Sequence, residues 1–350
     1  MKILIDIGHP AHVHYFKNLI KILNNEGYEF IITANKRKIV YELLVYYGIE
    51  FIPRIDNTNG LINKGINIFK ADYKIYQIAK KFKPDIFLGF SGTYISHVAW
   101  LMGKPSIVID DTGHAKLAHM SYKAFASIII TPSCFSKDFG RKHIRFNSYM
   151  ELCYLHPKYY TPKGDIRKNL NIGMTEKICI LRFVSWEASH DIGQTGLTMM
   201  MKQKLVSKLS EHSTVLISSE SELPDNLKKY QFQFLPEEMH DVLYNADLFI
   251  GEGATMASEC AMLGTPAIYV NSLDVGTCTE QEKKYNLVYN FRNSEGVLEK
   301  AMELLNIPNL KQEFQKRRQR MLADKIDTTE FLVKIIKDLP VVLKRLKNAF

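Results

Sequence analysis

One segment constrains the fold of this 350-residue chain more than any other: Ala246-Asp-Leu-Phe-Ile-Gly251-Glu-Gly-Ala-Thr-Met-Ala-Ser-Glu259-Cys-Ala-Met-Leu-Gly264-Thr-Pro266-Ala-Ile-Tyr-Val270. A short apolar run, a glycine turn, a helical stretch, a second glycine turn and a second apolar run read as strand, helix, strand. Gly251 and Gly253 allow a sharp turn and close approach of backbone to a ligand. A helix starting near Ala254 directs unpaired N–H groups and its positive dipole end at that turn, which makes an anion seat. Glu259, within the first two turns, can accept hydrogen bonds from vicinal ribose hydroxyls while the helix end holds a diphosphate. The expected binding residues are Gly253, Ala254, Thr255 and Glu259, and the expected ligand is a nucleotide-sugar. The alternative is that the glycines serve only the turns. As a dinucleotide fingerprint the segment lacks the third glycine and lies far from the first strand.

The same alternation runs along the chain and predicts parallel α/β layers. Strands are expected at Lys2–Ile7, Glu29–Thr33, Asp85–Leu88, Ser106–Ile109 and Ser127–Ile130. A second series is expected at Lys177–Leu181, Thr214–Ser218, Gln231–Leu235, Leu248–Ile250 and Ala267–Val270. Between them, from about 147 to 173, prolines and aromatics without periodicity suit a connection. The division predicted is an N-terminal Rossmann-like domain over 1–155, a linker over 156–173, a second Rossmann-like domain over 174–325, and a helical tail over 326–350 with a break at Pro340.

Three further loops carry candidate chemistry. The first is Asp6-Ile-Gly8-His9-Pro10-Ala11-His12-Val13-His14. Its histidines read as helix caps, as metal ligands, or as a catalytic or acceptor-orienting group, since imidazole titrates near neutrality. No carboxylate or cysteine cluster nearby completes a metal set. The second is Ser91-Gly92-Thr93-Tyr94, whose hydroxyls cap a helix or meet an acceptor. The third is Asp110-Asp111-Thr112-Gly113-His114, where an N-cap carboxylate and a general base are the alternatives, with Asp111 the catalytic candidate. In the second half, Arg182-Phe-Val-Ser-Trp186-Glu-Ala-Ser-His190-Asp191 is a candidate binding loop. Arg182 suits phosphate because its planar fork binds in bidentate fashion. The consecutive Ser-His-Asp is no catalytic triad, whose members converge from separate segments. Leu235–Met239 precedes the 251–270 segment, and a resemblance of that segment to GT-B proteins implies that this stretch clasps the nucleotide base. His240 is expected on a helix face, and Glu280-Gln281-Glu282 as a charged first helical turn, with reach to the donor sugar the alternative.

Charge narrows the partners. The net charge is +9, and residues 311–350 hold eleven Lys/Arg against five Asp/Glu. Such an excess points to an anionic partner. Arginine-rich aromatic motifs of the RNA-binding type are absent, so nucleic acid is set aside in favour of phosphorylated substrates or an anionic membrane surface. No apolar run approaches the roughly 20 residues of a membrane helix. Met1-Lys-Ile-Leu-Ile-Asp6 reads as a first strand, not a signal peptide. The five scattered cysteines form no Cys-x-x-Cys pair, and reduced thiols in a cytoplasmic setting are expected.

These motifs carry resemblances. The 251–270 segment resembles the donor-site motif of GT-B glycosyltransferases and of UDP-N-acetylglucosamine 2-epimerases, with Glu259 at the ribose glutamate and Gly264-Thr-Pro266 at the exit. Residues 3–13 resemble the first strand and loop of lipid-linked N-acetylglucosaminyltransferases of the MurG type, which places His12 at the loop histidine. Gly-His-Pro-Ala-His-Val, Ser-Trp-x-Ala-Ser-His-Asp, Gly-x-Gly-Ala-Thr-Met-Ala-x-Glu and Leu-Gly-Thr-Pro-Ala-Ile-Tyr-Val-Asn together resemble the DUF354 family over nearly the whole chain. The resemblance implies a GT-B-like α/β fold, with two Rossmann-like domains facing across a cleft and a C-terminal helix crossing back. It implies a glycosyltransferase, independent of metal and of any cofactor, that uses a UDP-sugar donor and a sugar or lipid-linked acceptor on the cytoplasmic side, peripheral to the membrane. Under it His12 is base or acceptor guide, Arg182 meets the diphosphate, and Asp111 is a second catalytic group. Gly8, His9, Ser91, Thr93, Trp186, His190 and Asp191 complete the binding set. An epimerase or hydrolase on the same ligand, and a non-catalytic nucleotide-sugar-binding protein, are the alternatives.

Overall fold

The computed structural model describes residues 1–54, 61–163, 166–170, 172, 173, 175–184 and 196–348, in two compact units: 1–154 with 326–350, and 155–325. Both are parallel α/β.

In the first unit, seven strands are β1 (Lys2–Ile7), β2 (Glu29–Ala34), β3 (Ile52–Pro53), β4 (Ile86–Phe90), β5 (Ser106–Ile109), β6 (Ile128–Pro132) and β7 (His143–Phe146). They lie in the order β3-β2-β1-β4-β5-β6-β7, every pair parallel. The chain leaves β1 for one edge and returns beside it as β4. Such a reversal is where doubly wound sheets place their ligand loops. β1, β4, β5 and β6 are buried nearly throughout, which explains their continuous Ile/Leu/Val composition. The helix Pro10–Asn25 turns Val13, Phe16, Leu19 and Leu23 inward at helical spacing.

The C-terminal segment belongs to this unit. Its helix Thr328–Lys337 buries Leu332, Val333, Ile335 and Ile336. Thr328 Oγ1 donates to Tyr149 O (2.8 Å) and Thr329 Oγ1 to Cys153 O (2.9 Å). Phe331 stacks on Phe146 at 5.3 Å. Pro340 stands in the first turn of the next helix, Leu339–Asn348, where its missing N–H costs nothing.

The second unit holds β8 (Ile178–Phe183), β9 (Thr214–Ser219), β10 (Leu248–Gly251), β11 (Ala267–Val270) and β12 (Val288–Phe291), ordered β12-β11-β10-β8-β9. The strand expected at Gln231–Leu235 does not form: Gln231 makes a bridge to Ile217, and the Phe232 ring packs at a tilt against Phe234. β3, β7 and β12 were not anticipated. All three are sheet-edge strands, and β7 (His-Ile-Arg-Phe) and β12 (Val-Tyr-Asn-Phe) carry polar residues that mask the apolar pattern.

Candidate functional site

The donor seat anticipated from sequence is built on β10 and the helix Ala254–Leu263. Gly253 is the N-cap and has no side chain to offer, so among the described residues no side-chain cap meets the first N–H groups of the helix. Among the described residues, a Cβ added at Gly253 would meet no atom within 4 Å, whereas one at Gly251 would lie 2.5 Å from the Phe249 ring. Gly251 is therefore demanded by packing, and Gly253 leaves room in front of the helix end. The helix stops at Gly264, in the left-handed region at φ 73.

Glu259 and His240 are both buried, and His240 Nε2 lies 3.1 Å from Glu259 Oε1. His240 stands on the helix Met239–Asn245, which packs against the donor helix; Thr265 Oγ1 donates to Leu243 O across the same contact. From sequence alone His240 is a plain helix-face residue. Only the tertiary contact reveals its partner, because the two residues are 19 apart in sequence. A 3-10 turn, Pro236–Glu238, precedes this helix, with Leu235 exposed beside it.

Glu252 is also buried. It accepts from Val184 N (3.0 Å), Leu197 N (2.9 Å) and Lys202 Nζ (3.2 Å), so it fastens the donor turn to the chain following β8. Arg182 pairs in register with Gly251 on the neighbouring strand. Its guanidinium donates to Ser218 Oγ (2.6 Å) and Glu220 Oε1 (2.5 Å) at the end of β9. Trp186, His190 and Asp191 lie outside the described residues. Glu280, Gln281 and Glu282 stand in the middle of the helix Gly276–Tyr285, not in its first turn. Each has a structural partner: Lys325, Ser258 and Asn290 respectively.

In the first unit, the histidine loop after β1 caps its own helix. His9 Nδ1 accepts from Ala11 N and His12 Nδ1 accepts from Gly8 N, each at 3.2 Å. His14 is buried instead, stacked on Tyr154 at 5.0 Å. Burial, then the charges of His9, Arg54 and Arg37, hold His12 well below its ordinary pKa. It is thus a neutral imidazole whose lone pair already receives Gly8 N–H and whose Nε2 carries the proton. That form donates a hydrogen bond; it does not take a proton. Of the two roles expected for His12, the geometry favours acceptor guide and disfavours base. Among the described residues no group of three His, Cys, Asp or Glu is arranged to hold a metal.

Arg54, not anticipated, is buried beside this loop. It pairs with Asp6 at 3.2 Å and lies over the Tyr94 ring at 4.2 Å. Its isolation in a Pro-Arg-Ile context gave no motif.

The aspartate pair divides its labour. Asp110 is fully buried and accepts from Tyr122 Oη (2.7 Å), Thr112 N (2.8 Å) and Ser91 Oγ (3.1 Å). It caps no helix: the N-cap of Lys116–Lys123 is Ala115, without a side-chain bond. Asp111 is half-buried, touched by Thr112 Oγ1 at 3.1 Å. Burial and the neighbouring Asp110 push its pKa up to about 7. A carboxylate poised there at neutral pH suits proton transfer. Ser91, tied to Asp110, adopts φ 46, unusual for a residue with a Cβ. Thr93 Oγ1 lies 2.6 Å from Ser121 Oγ. The first unit thus gathers Ser91, Thr93, Asp110 and Asp111 at adjacent strand ends.

Comparison with known proteins agrees with this plan. An uncharacterised protein of Methanocaldococcus jannaschii, MJ0665, is 26% identical over 281 residues, 77% of this chain and 81% of that protein. The UDP-N-acetylglucosamine–N-acetylmuramyl-(pentapeptide) pyrophosphoryl-undecaprenol N-acetylglucosamine transferase of Clostridioides difficile is 26% identical over 318 residues, 82% of this chain and 74% of that protein. The S. aureus MnaA–UDP co-structure superposes with a TM-score of 0.72 at 13% identity, covering 97% of each chain. These likenesses give the chain a GT-B-like α/β fold, shared with glycosyltransferases and UDP-N-acetylglucosamine 2-epimerases. Residues 1–339 match the family described as "Protein of unknown function (DUF354)", and the chain belongs to that family.

Proposed function

We propose that the chain is a glycosyltransferase that draws its sugar from a nucleotide diphosphate, UDP in the first instance, for envelope polysaccharide or lipid-linked glycan assembly. The observation that carries the reading is the donor seat: a ten-residue helix whose N-cap is a glycine without a capping side chain, with a buried glutamate in its second turn. The N–H groups of Ala254 and Thr255 would hold the diphosphate and Glu259 the ribose. Arg182, exchanging Glu220 for phosphate, would offset charge as the diphosphate leaves. In the first unit, Asp111 would take the proton of the acceptor hydroxyl, with His12 Nε2–H as guide. Charge on the leaving group is thereby assigned to protein groups, and neither metal nor cofactor enters the proposal.

The names of the relatives support it. The C. difficile protein is named as a UDP-N-acetylglucosamine transferase, and the S. aureus structure contains UDP. One observation favours a second reading: a carboxylate titrating near 7 also suits acid/base work on the sugar itself, as an epimerase needs.

Calorimetry with UDP and a panel of UDP-sugars tests the first step. No binding by any nucleotide would remove the reading altogether. Turnover of the bound UDP-sugar then separates the rest. Release of UDP only with an added sugar or lipid-linked acceptor supports the transferase. Turnover without acceptor supports the epimerase or hydrolase, and binding without turnover a non-catalytic protein.

A further inference from the structure

We infer that Glu252 is a positioning residue of the donor seat: its buried carboxylate locks the turn 251–253 and so pre-aims the first N–H groups of the helix Ala254–Leu263 at a diphosphate. Two of the three residues in that turn are glycines, which hold no conformation by themselves. Glu252 supplies the constraint through its side chain and its peptide. Oε1 accepts from Leu197 N (2.9 Å) and Oε2 from Val184 N (3.0 Å). One carboxylate thereby grips the chain where it leaves β8 and again just before the helix Met199–Leu209. Lys202 Nζ, from that helix, reaches Oε2 at 3.2 Å. The peptide groups of residue 252 are tied to both strands that flank β10. Glu252 N donates to Arg182 O (3.3 Å) in β8, and Glu252 O accepts from Asn271 Nδ2 (3.1 Å) at the end of β11. Residue 252 thus joins the turn to two strands and a helix, one residue before the N-cap.

Electrostatics alone would not place a carboxylate there. The Glu252 side chain has no exposed surface, and a negative charge beside an anion seat repels the anion that the seat is to hold. A buried carboxylate is also unfavourable unless it is paired and hydrogen-bonded. Lys202 offsets the charge, with its amine over the Phe183 ring at 4.5 Å and its side chain 12% exposed. What the carboxylate does, and a neutral side chain of equal length cannot, is accept from one backbone N–H on each oxygen. A glutamine accepts through a single oxygen and turns an NH2 group toward the second N–H. The charge is unfavourable for the ligand, and the geometry that it secures is favourable. The two effects predict opposite signs on removal.

This role rests on the donor-seat reading for its ligand, so inorganic pyrophosphate is tested beside UDP, by calorimetry on the full chain. Glu252→Gln removes a negative charge from the seat; charge alone would tighten both ligands, whereas loss of the clamp weakens both. The expected result is binding at least tenfold weaker for each. Hydrogen exchange of the ligand-free variant should quicken in peptides spanning residues 250–258 and keep the parental rate in β9 and β12. E252Q/K202M restores neutrality without restoring the clamp, and its pyrophosphate affinity should stay at least tenfold below the parent's. If Glu252→Gln does not fold, Glu252→Asp serves: it keeps the charge but is one methylene short of the two amides, and should also weaken both ligands. Equal or tighter binding in these variants, recovery of parental affinity in the double variant, or parental exchange over 250–258 overturns the role. So does faster exchange spread evenly over the second unit, which marks a fold defect only. A parent chain that binds pyrophosphate but not UDP would end the nucleotide reading and leave the clamp standing. A parent that binds UDP, with Glu252→Gln unaffected, does the reverse, and a parent that binds neither overturns both.

Discussion

At the scale of the residue, Glu259 and His240 form a pair that the proposed donor chemistry uses unequally. Glu259→Ala should weaken UDP binding by about 1.5–3 kcal/mol, the usual worth of hydrogen bonds to a charged group. His240 touches Glu259, not ribose, in this account, so His240→Ala should cost less, up to about tenfold in KM with kcat retained. Calorimetry and steady-state kinetics decide; unchanged UDP affinity in Glu259→Ala would remove the ribose assignment. Asp111 gives a sharper test. Its pKa is raised from 3.8 to about 7, so the native state holds a proton that the unfolded chain releases. Native stability from this group is complete below about pH 4 and declines as pH rises through 7. Activity runs the other way, because a base must be deprotonated. kcat/KM should climb tenfold per pH unit below 7 and level above it. Asp111→Asn should lower kcat by about 10²–10⁴-fold, abolish that limb, and flatten the stability profile between pH 4 and 7. A pH–rate profile of Asp111→Asn that still rises to 7 would assign the titration elsewhere.

At the scale of the element, the two glycines of the donor turn should separate folding from binding. Gly251→Ala drives a Cβ into the Phe249 ring and against Arg182, an overpacking that typically costs about 1–3 kcal/mol. Gly253→Ala meets no atom of the described residues, so the fold should be kept while UDP affinity falls at least tenfold. Thermal denaturation and calorimetry on both variants check this, and a Gly253→Ala protein with parental UDP affinity would place the phosphate away from the turn. The turn and its helix were legible because each step has its own sequence mark: apolar run, Gly-x-Gly, Gly264, Pro266. The helix Gly276–Tyr285 starts one turn before the carboxylates that the sequence suggests as its first turn. A glycine start gives no capping signal, and the burial of Gln281 against Ser258 is a tertiary fact. The histidine loop shows the same limit. Three histidines in six residues can be read as caps, ligands or catalysts; only the direction of Gly8 N–H toward His12 Nδ1 selects the tautomer.

At the scale of the whole molecule, the doubled α/β plan was legible because buried parallel strands repeat the same short apolar run. What was not legible is how charge is distributed. A net excess in residues 311–350 is visible in the sequence, but whether each cation meets a carboxylate or a carbonyl depends on segments far away, as Lys325–Glu280 and Lys337–Glu26 show. The same long-range economy makes the C-terminal segment part of the first unit's core. Thr328, Thr329, Leu332 and Ile336 are all under 3% exposed, in contact with elements formed more than 170 residues earlier, as the Thr328–Tyr149 and Thr329–Cys153 bonds record. Each buried aliphatic side chain of that helix is worth roughly 1.5–3 kcal/mol. Four of them rival the 5–15 kcal/mol that keeps a typical domain folded. Truncation after Lys325 should therefore leave the first unit unfolded at 37 °C, read as rapid proteolysis within residues 1–154. Ile336→Ala, a milder lesion, should cost about 2–5 kcal/mol with the fold retained. Denaturant unfolding of Ile336→Ala and limited proteolysis of the truncated chain test the point together. A truncated chain that resists protease like the parent would show that residues 1–154 form a complete core without the returning helix.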